Sequence, residues 1–146
     1  MSVVRGMMDL ASVGPADTVM DLGSGDGRIV MEAARRGARG IGVDIDAHLI
    51  AQSRARSLQL GYGEKVHFLN ENLLGTDLRE ATVVMLFLAA ELSLQLRPRL
   101  LRDLKPGSRV VSHMYRIGDW APSMSATAPG PLRDHPIYLW TLNQAA

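Results

Sequence analysis

Thr18-Val19-Met20-Asp21-Leu22-Gly23-Ser24-Gly25-Asp26-Gly27-Arg28-Ile29-Val30 is the stretch on which the reading of this chain turns. Its first five residues are compact and β-prone, and they run without a break into a loop in which every second residue is glycine. Arg28 to Arg36 follows with Ile29, Val30, Ala33 and Ala34 on one helical stripe, and Gly37 is placed to cap it. Strand, glycine loop and helix open a βαβ unit, in which the backbone turns tightly at the strand's carboxyl end or approaches a ligand closely. Gly40-Ile41-Gly42-Val43-Asp44 reads as the next strand, ending in acid 21 residues after Gly23. A carboxylate at that place can accept two hydrogen bonds from a ribose diol.

The same alternation continues outward. Val4 to Ala11 is apolar at helical spacing, and Gly14-Pro15-Ala16-Asp17 reads as a turn. Downstream, Asp46 to Leu60 is helical, Val66 to Leu69 is a third strand, and an irregular stretch reaches Glu80. Thr82 to Leu88 is nearly all apolar, as a central parallel strand should be. Glu91 to Leu104 is a helix expected to kink or restart at Pro98, and Arg109 to His113 is the fifth strand. Prolines at 122, 129, 131 and 136 interrupt the tail, where Ser123 to Ala128 and Ile137 to Leu142 are expected to pair as a hairpin. The pattern predicts an α/β fold, doubly wound and mostly parallel, with a C-terminal antiparallel hairpin.

Composition bounds the rest. A chain of 146 residues fits one domain, 1–146, and 47% hydrophobic with 21% charged residues is an ordinary globular balance rather than a disordered one. Sixteen Lys plus Arg against fifteen Asp plus Glu leave a formal charge of +1, which makes no electrostatic case for nucleic acid. The absence of cysteine excludes disulfides and thiolate chemistry and fits a cytoplasmic address. Met1 to Arg5 has no apolar signal core, and the longest apolar run, Ala81 to Ala90, is too short to span a bilayer, so no membrane role is expected. Histidines at 48, 67, 113 and 135 show no metal-ligand spacing, and no metal is expected.

The glycine spacing bears on the ligand. Dinucleotide sites use G-x-G-x-x-G, whereas this loop is G-x-G-x-G with Arg28 where the third glycine would stand. Asp26 puts negative charge where a pyrophosphate would sit, while Asp21 and Asp26 suit a ligand carrying an ammonium and a sulfonium centre. The cofactor expected is therefore S-adenosylmethionine, with a fold that has lost its ligand as the alternative. Gly27 also has a plain packing role, helix against sheet.

These residues resemble the class I, Rossmann-like S-adenosylmethionine-dependent methyltransferases, whose sheet has seven strands. Asp21-Leu22-Gly23-Ser24-Gly25-Asp26-Gly27-Arg28-Ile29-Val30 is similar to the first motif of a small protein-lysine methyltransferase-like family with bacterial, archaeal and mitochondrial members. The likeness continues through Gly42-Val43-Asp44-Ile45-Asp46, Leu96-Arg97-Pro98-Arg99-Leu100-Leu101, Leu104 to His113 and Gly118-Asp119-Trp120. It implies that the loop Gly23-Ser24-Gly25-Asp26-Gly27 and Asp21 line the methionine end, that Asp44 holds the ribose, and that Ile45 stacks on the adenine. Asn72, followed by Leu73, matches the place of an adenine-binding carboxylate, though it reads equally as a local turn residue. Phe87 and Tyr115, at strand ends, are expected either to wall the site or to pack in the core.

The resemblance implies methyl transfer, and the acceptor favoured is a lysine amine of a protein, with Glu91 and His113 as rim residues that could orient it. Their plain readings are a helix-start acid and a strand-end side chain. A small-molecule or RNA methyltransferase and a non-catalytic cofactor-binding protein stay open, as does self-association. Two departures from the family pattern fall on the acceptor side: Ala89-Ala90-Glu91 replaces a usual proline, and little sequence precedes the motif to close over the pocket. Arg97, Arg99 and Arg102 read as solvated helix charges, and Trp120 as an anchor for its loop.

Overall fold

All five residues of β1 (Thr18–Leu22) are buried, a pattern that only a strand covered on both faces satisfies. In the computed structural model, which describes residues 2–142, β1 pairs in parallel with β2 (Arg39–Asp44) on one side and β4 (Val83–Leu86) on the other. β3 (Val66–Asn70) lies beyond β2, and β5 (Arg109–His113) beyond β4, both parallel. β7 (Asp134–Thr141) joins β5 antiparallel and carries β6 (Met124–Pro129) at the far edge. The seven strands thus run β3-β2-β1-β4-β5-β7-β6, the class I methyltransferase arrangement. Strand order reverses between β1 and β4, where such a sheet leaves a crevice beyond its carboxyl ends.

Period-two alternation divides the core. Val19, Val83, Met85 and Val111 point to one face, where α1 (Ser2–Leu10) contributes Met7 and Met8 and α2 (Arg28–Arg35) contributes Ile29 and Ala33. On that face α3 (Ala47–Gln59) brings Ile50 against Val66 and Phe68. Met20, Leu22, Val84, Leu86 and Val110 point the other way, onto Leu96 and Leu100 of α4 (Ala90–Asp103). Two close approaches fix the layers. A Cβ on Gly40 would stand 2.3 Å from Val30 Cγ1, and one on Gly6 would stand 2.8 Å from Ala128 Cβ, so α2 sits tight on β2 and α1 on β6.

The elements depart from the sequence reading chiefly at β4 and β7, and the restart that was one of the two outcomes expected at Pro98 is absent. β4 ends at Leu86 rather than Leu88 because Phe87 leaves the ladder to stack its ring on His113, with centroids 3.8 Å apart and planes 5° from parallel. α4 neither stops nor restarts at Pro98 but runs through it, with that ring exposed. β7 begins at Asp134 rather than Ile137, which takes His135 and Pro136 into the sheet opposite Ala128 and Thr127. Among the described residues no helix is long and apolar enough to cross a membrane.

Candidate active site

The glycine loop is hung from the end of β2. The N–H groups of Gly23 and Ser24 both donate to the Val43 carbonyl at 2.8 Å, and Gly25 N–H donates to Asp44 Oδ2 at 2.9 Å. Asp44 Oδ1 accepts from Asp46 N–H at 2.9 Å, so the carboxylate is gripped from both sides and held at the crevice edge. Asp46 in turn caps α3 by accepting from His48 and Leu49 N–H. Gly27 starts α2 at φ 82°, a left-handed conformation that favours glycine. A Cβ there would also press on Phe68 and Ser53 at 3.1 Å. It lies behind the loop rather than in the cavity.

In front of the loop is a cavity of about 380 Å³. It gathers Asp21, Gly23, Ser24, Gly25, Asp26 and Phe87, all singled out from the sequence. Val3 and Val4 of α1 also line it, so the short lead-in contributes to the pocket wall. Pro131 and His135 close the side towards β7; neither was singled out. The signal for His135 was the hairpin itself, since antiparallel pairing of β7 with β5 carries residue 135 back to His113.

Asp21 is fully buried, and burial, then the charges of Asp44 and Asp26, push its carboxyl well above the usual range. Its Oδ1 and the Ser24 Oγ are buried with no hydrogen-bond partner among the described residues. An unpaired buried acceptor costs about 1–3 kcal/mol, and here two of them border one cavity. A cationic donor such as the ammonium of S-adenosylmethionine fits them. Asp26 offers less: Arg28 holds it through a 2.7 Å ion pair and keeps its carboxyl below the usual range.

The adenine side is an open shelf. Ile45 is 72% exposed beside Asp44, and the Asn70 amide donates to the carbonyls of both. Asn72 opens a single turn of 3₁₀ helix (Leu73–Gly75) and accepts from Leu74 N–H at 2.9 Å, so its amide oxygen is engaged locally. Leu73, half-buried, packs against the α4-side core.

One of the helix arginines holds this shelf. Arg99 donates to the carbonyls of Leu73, Leu74 and Thr76, which corrects its reading as a solvated charge. Arg97 pairs with Asp119 at 2.6 Å. Trp120 anchors its loop as expected, its carbonyl accepting from Trp140 Nε1 at 2.9 Å. Arg99→Met frees three carbonyls and should weaken S-adenosylmethionine binding about fivefold to tenfold by calorimetry, the effect of roughly 1–1.4 kcal/mol. An unchanged affinity would show that the turn stands without its clamp.

The two proposed rim residues part company. Glu91 is exposed in the first turn of α4, outside the cavity, and makes no ion pair or side-chain hydrogen bond among the described residues. His113 is buried behind the wall, between Phe87 and His135.

Comparison with known proteins agrees with this geometry. Residues 21–124 match the family described as the ANTKMT methyltransferase domain. A protein-lysine N-methyltransferase of Saccharolobus islandicus is 35% identical over 97% of this chain and 89% of its own length. The adenine nucleotide translocase lysine N-methyltransferase of Mus musculus is 33% identical over 71% of this chain, a match that takes in 46% of that protein. An RNA methyltransferase from Salinibacter ruber, solved with S-adenosyl-L-homocysteine, is 41% identical with a TM-score of 0.91 over 99% of this chain and 92% of that one. With its motif loop, its strand order and its near-full-length relatives in agreement, this chain belongs to the ANTKMT methyltransferase domain family, whose cofactor is S-adenosylmethionine.

Proposed function

We propose that this protein, acting as a single domain, transfers a methyl group to a lysine amine of a protein substrate. The observation that carries the reading is the cavity wall of Phe87, Pro131 and His135, which is apolar apart from one imidazole and faces the two unpaired acceptors of Asp21 and Ser24. Such a wall suits an alkyl-ammonium stem whose charge must be lost before transfer, and near-full-length similarity to a protein-lysine N-methyltransferase supports it.

When bound, the cofactor supplies a methyl group on a sulfonium centre and departs as a neutral thioether. The chain's own residues position and exclude. Asp44 would hold the ribose diol at the shelf edge, and Ile45 and Leu73 would flank the adenine. Asp21 and Ser24 would take the ammonium end, while Val3, Val4 and Phe87 would exclude water from the cavity. Glu91, outside the cavity, is left as a guide for an approaching cation.

A second reading has a specific observation of its own. The 41% identical Salinibacter protein is named an RNA methyltransferase, so the comparisons taken together favour the wider range of acceptors over lysine alone. Incubating the protein with tritiated S-adenosylmethionine and cell extract, then separating protein, RNA and small molecules, decides between them. Label recovered as methyl-lysine after hydrolysis is the expected result. Label in the RNA fraction would replace the lysine reading with the second one.

A further inference from the structure

The wall that faces the acceptor contains one titratable group. His135 on β7 lines the cavity with Phe87 and Pro131, and its Nδ1 lies 2.7 Å from Nε2 of His113 on β5. His113 is itself fixed, buried with its ring flat against Phe87. The Nε2–Cδ2 edge of the His135 ring lies close against Gly130, a fit that only a residue without a side chain allows. A Cβ on Gly130, in the β6–β7 turn, would stand 2.4 Å from His135 Nε2.

We propose that His135 is the catalytic base that takes the proton from the acceptor ammonium, and that His113 is the positioning residue that fixes its tautomer. The inference rests on the amine reading above. His135 Nδ1–H donates to His113 Nε2, which leaves the lone pair of His135 Nε2 for the cavity. The acceptor R–NH₃⁺ gives one proton to that nitrogen. The freed amine lone pair then forms the N–C bond as the C–S bond breaks, its electron pair leaving with sulfur. The product is R–NH₂⁺–CH₃, and the imidazolium returns its proton to water.

His113 suits this role because burial, then the neighbouring His135, lower its pKa to about 4. It therefore stays neutral near pH 7, accepts the hydrogen bond and adds no charge against an imidazolium next to it. The other charged groups around His135 are Arg133 and Asp134 beside it in the chain and Asp21, Asp26 and Arg28 across the cavity. Proton transfer from an ordinary lysine to an ordinary histidine is uphill. The apolar surface of Phe87 and Pro131 penalises ammonium and imidazolium alike, so the transfer stays uphill and is drawn forward by the methyl transfer that consumes the free amine.

Poly-L-lysine and tritiated S-adenosylmethionine provide the assay, and S-adenosylhomocysteine calorimetry checks that each variant still folds and binds. His135→Phe keeps the ring and removes the base. Its kcat at pH 7 should fall about tenfold to hundredfold, with the KM for cofactor unchanged, and the deficit should shrink towards pH 10 as the amine loses its proton unaided. Imidazole in the buffer should restore part of the activity of His135→Ala. Gly130→Ala, which caps Nε2, should reproduce the loss. His113→Phe should lose less and move the alkaline limb.

Nitrogen-15 spectra of histidine-labelled protein need no acceptor, and they should show His135 protonated at Nδ1 and bare at Nε2. A His135→Phe enzyme with the wild-type rate and pH profile, no rescue by imidazole, or the opposite tautomer would each overturn the proposal. Wild-type protein that leaves poly-lysine unlabelled would overturn the amine reading itself, and the base with it.

Discussion

Replacing Asp44 by alanine is expected to weaken S-adenosylmethionine binding by roughly 2–4 kcal/mol, about 30- to 900-fold in dissociation constant. Two losses combine. In the proposed site the carboxylate accepts from the hydroxyls of the ribose, and in the structure it accepts from Gly25 and Asp46 N–H at 2.9 Å each. Alanine therefore removes ligand contacts and the tether that holds the glycine loop against β2. The fold should survive, because Asp44 ends its strand only partly buried and the loop keeps its two bonds to the Val43 carbonyl. Asp44→Asn should fall between, since the amide oxygen serves one donor and the amide nitrogen opposes the other. Calorimetry with S-adenosylhomocysteine, beside a thermal melt, measures both effects. A dissociation constant unmoved in the alanine variant would place the ribose elsewhere.

Asp21→Asn should act in opposite directions on stability and on cofactor affinity. The carboxylate is buried and one oxygen has no partner, so its charge is costly until a cation arrives. Burial raises the carboxyl's pKa in the folded chain above its unfolded value. Below the unfolded value both states hold the proton and nothing is lost. As pH rises through the folded value, ionisation favours the unfolded chain, and the free protein loses stability. Asparagine has no such titration. The free variant should melt with the wild type near pH 4 and be more stable by about 1–3 kcal/mol at pH 9. Its affinity for S-adenosylmethionine should drop about tenfold to hundredfold, the effect of one charge-assisted hydrogen bond. Equal melting of the two proteins at pH 9 would mean that Asp21 finds a partner in solution.

The loop and strand ends around the proposed cofactor site were legible because local chemistry specifies them. Glycine spacing, the acid at the end of β2 and the apolar alternation of β1 each depend on residues within one βαβ unit. The His113–His135 pair of the proposed acceptor side was not, because it is made by long-range pairing. His135 reaches His113 only through the antiparallel register of β7 on β5, and a proline at 136 made that segment look like loop. Arg99 escaped for a related reason. Its spacing on α4 is that of a solvent-facing charge, and its partners are carbonyls of a turn 23 to 26 residues earlier. Glu91 lies outside the cavity, and a charged side chain at the start of a helix after β4 satisfies the helix dipole wherever the helix points.

The seating of α1 on β6, tight enough to need glycine at 6 against Ala128, bears on how the protein matures during synthesis. On the ribosome the β1 to β3 half emerges early, and its loop and acid can form as soon as the strands pair. The helix that walls the cavity has to wait, since its seat is laid down by residues 124 to 141 and β6 is held in the sheet through β7. Residues 2 to 10 can meet Val19, Ile29 and Ala33 early, but they lack their seat on β6 while more than a hundred others are made. A nascent chain of this kind forms its glycine loop before α1 is seated beside the cavity, and that seating waits until residues 124 to 141 have emerged.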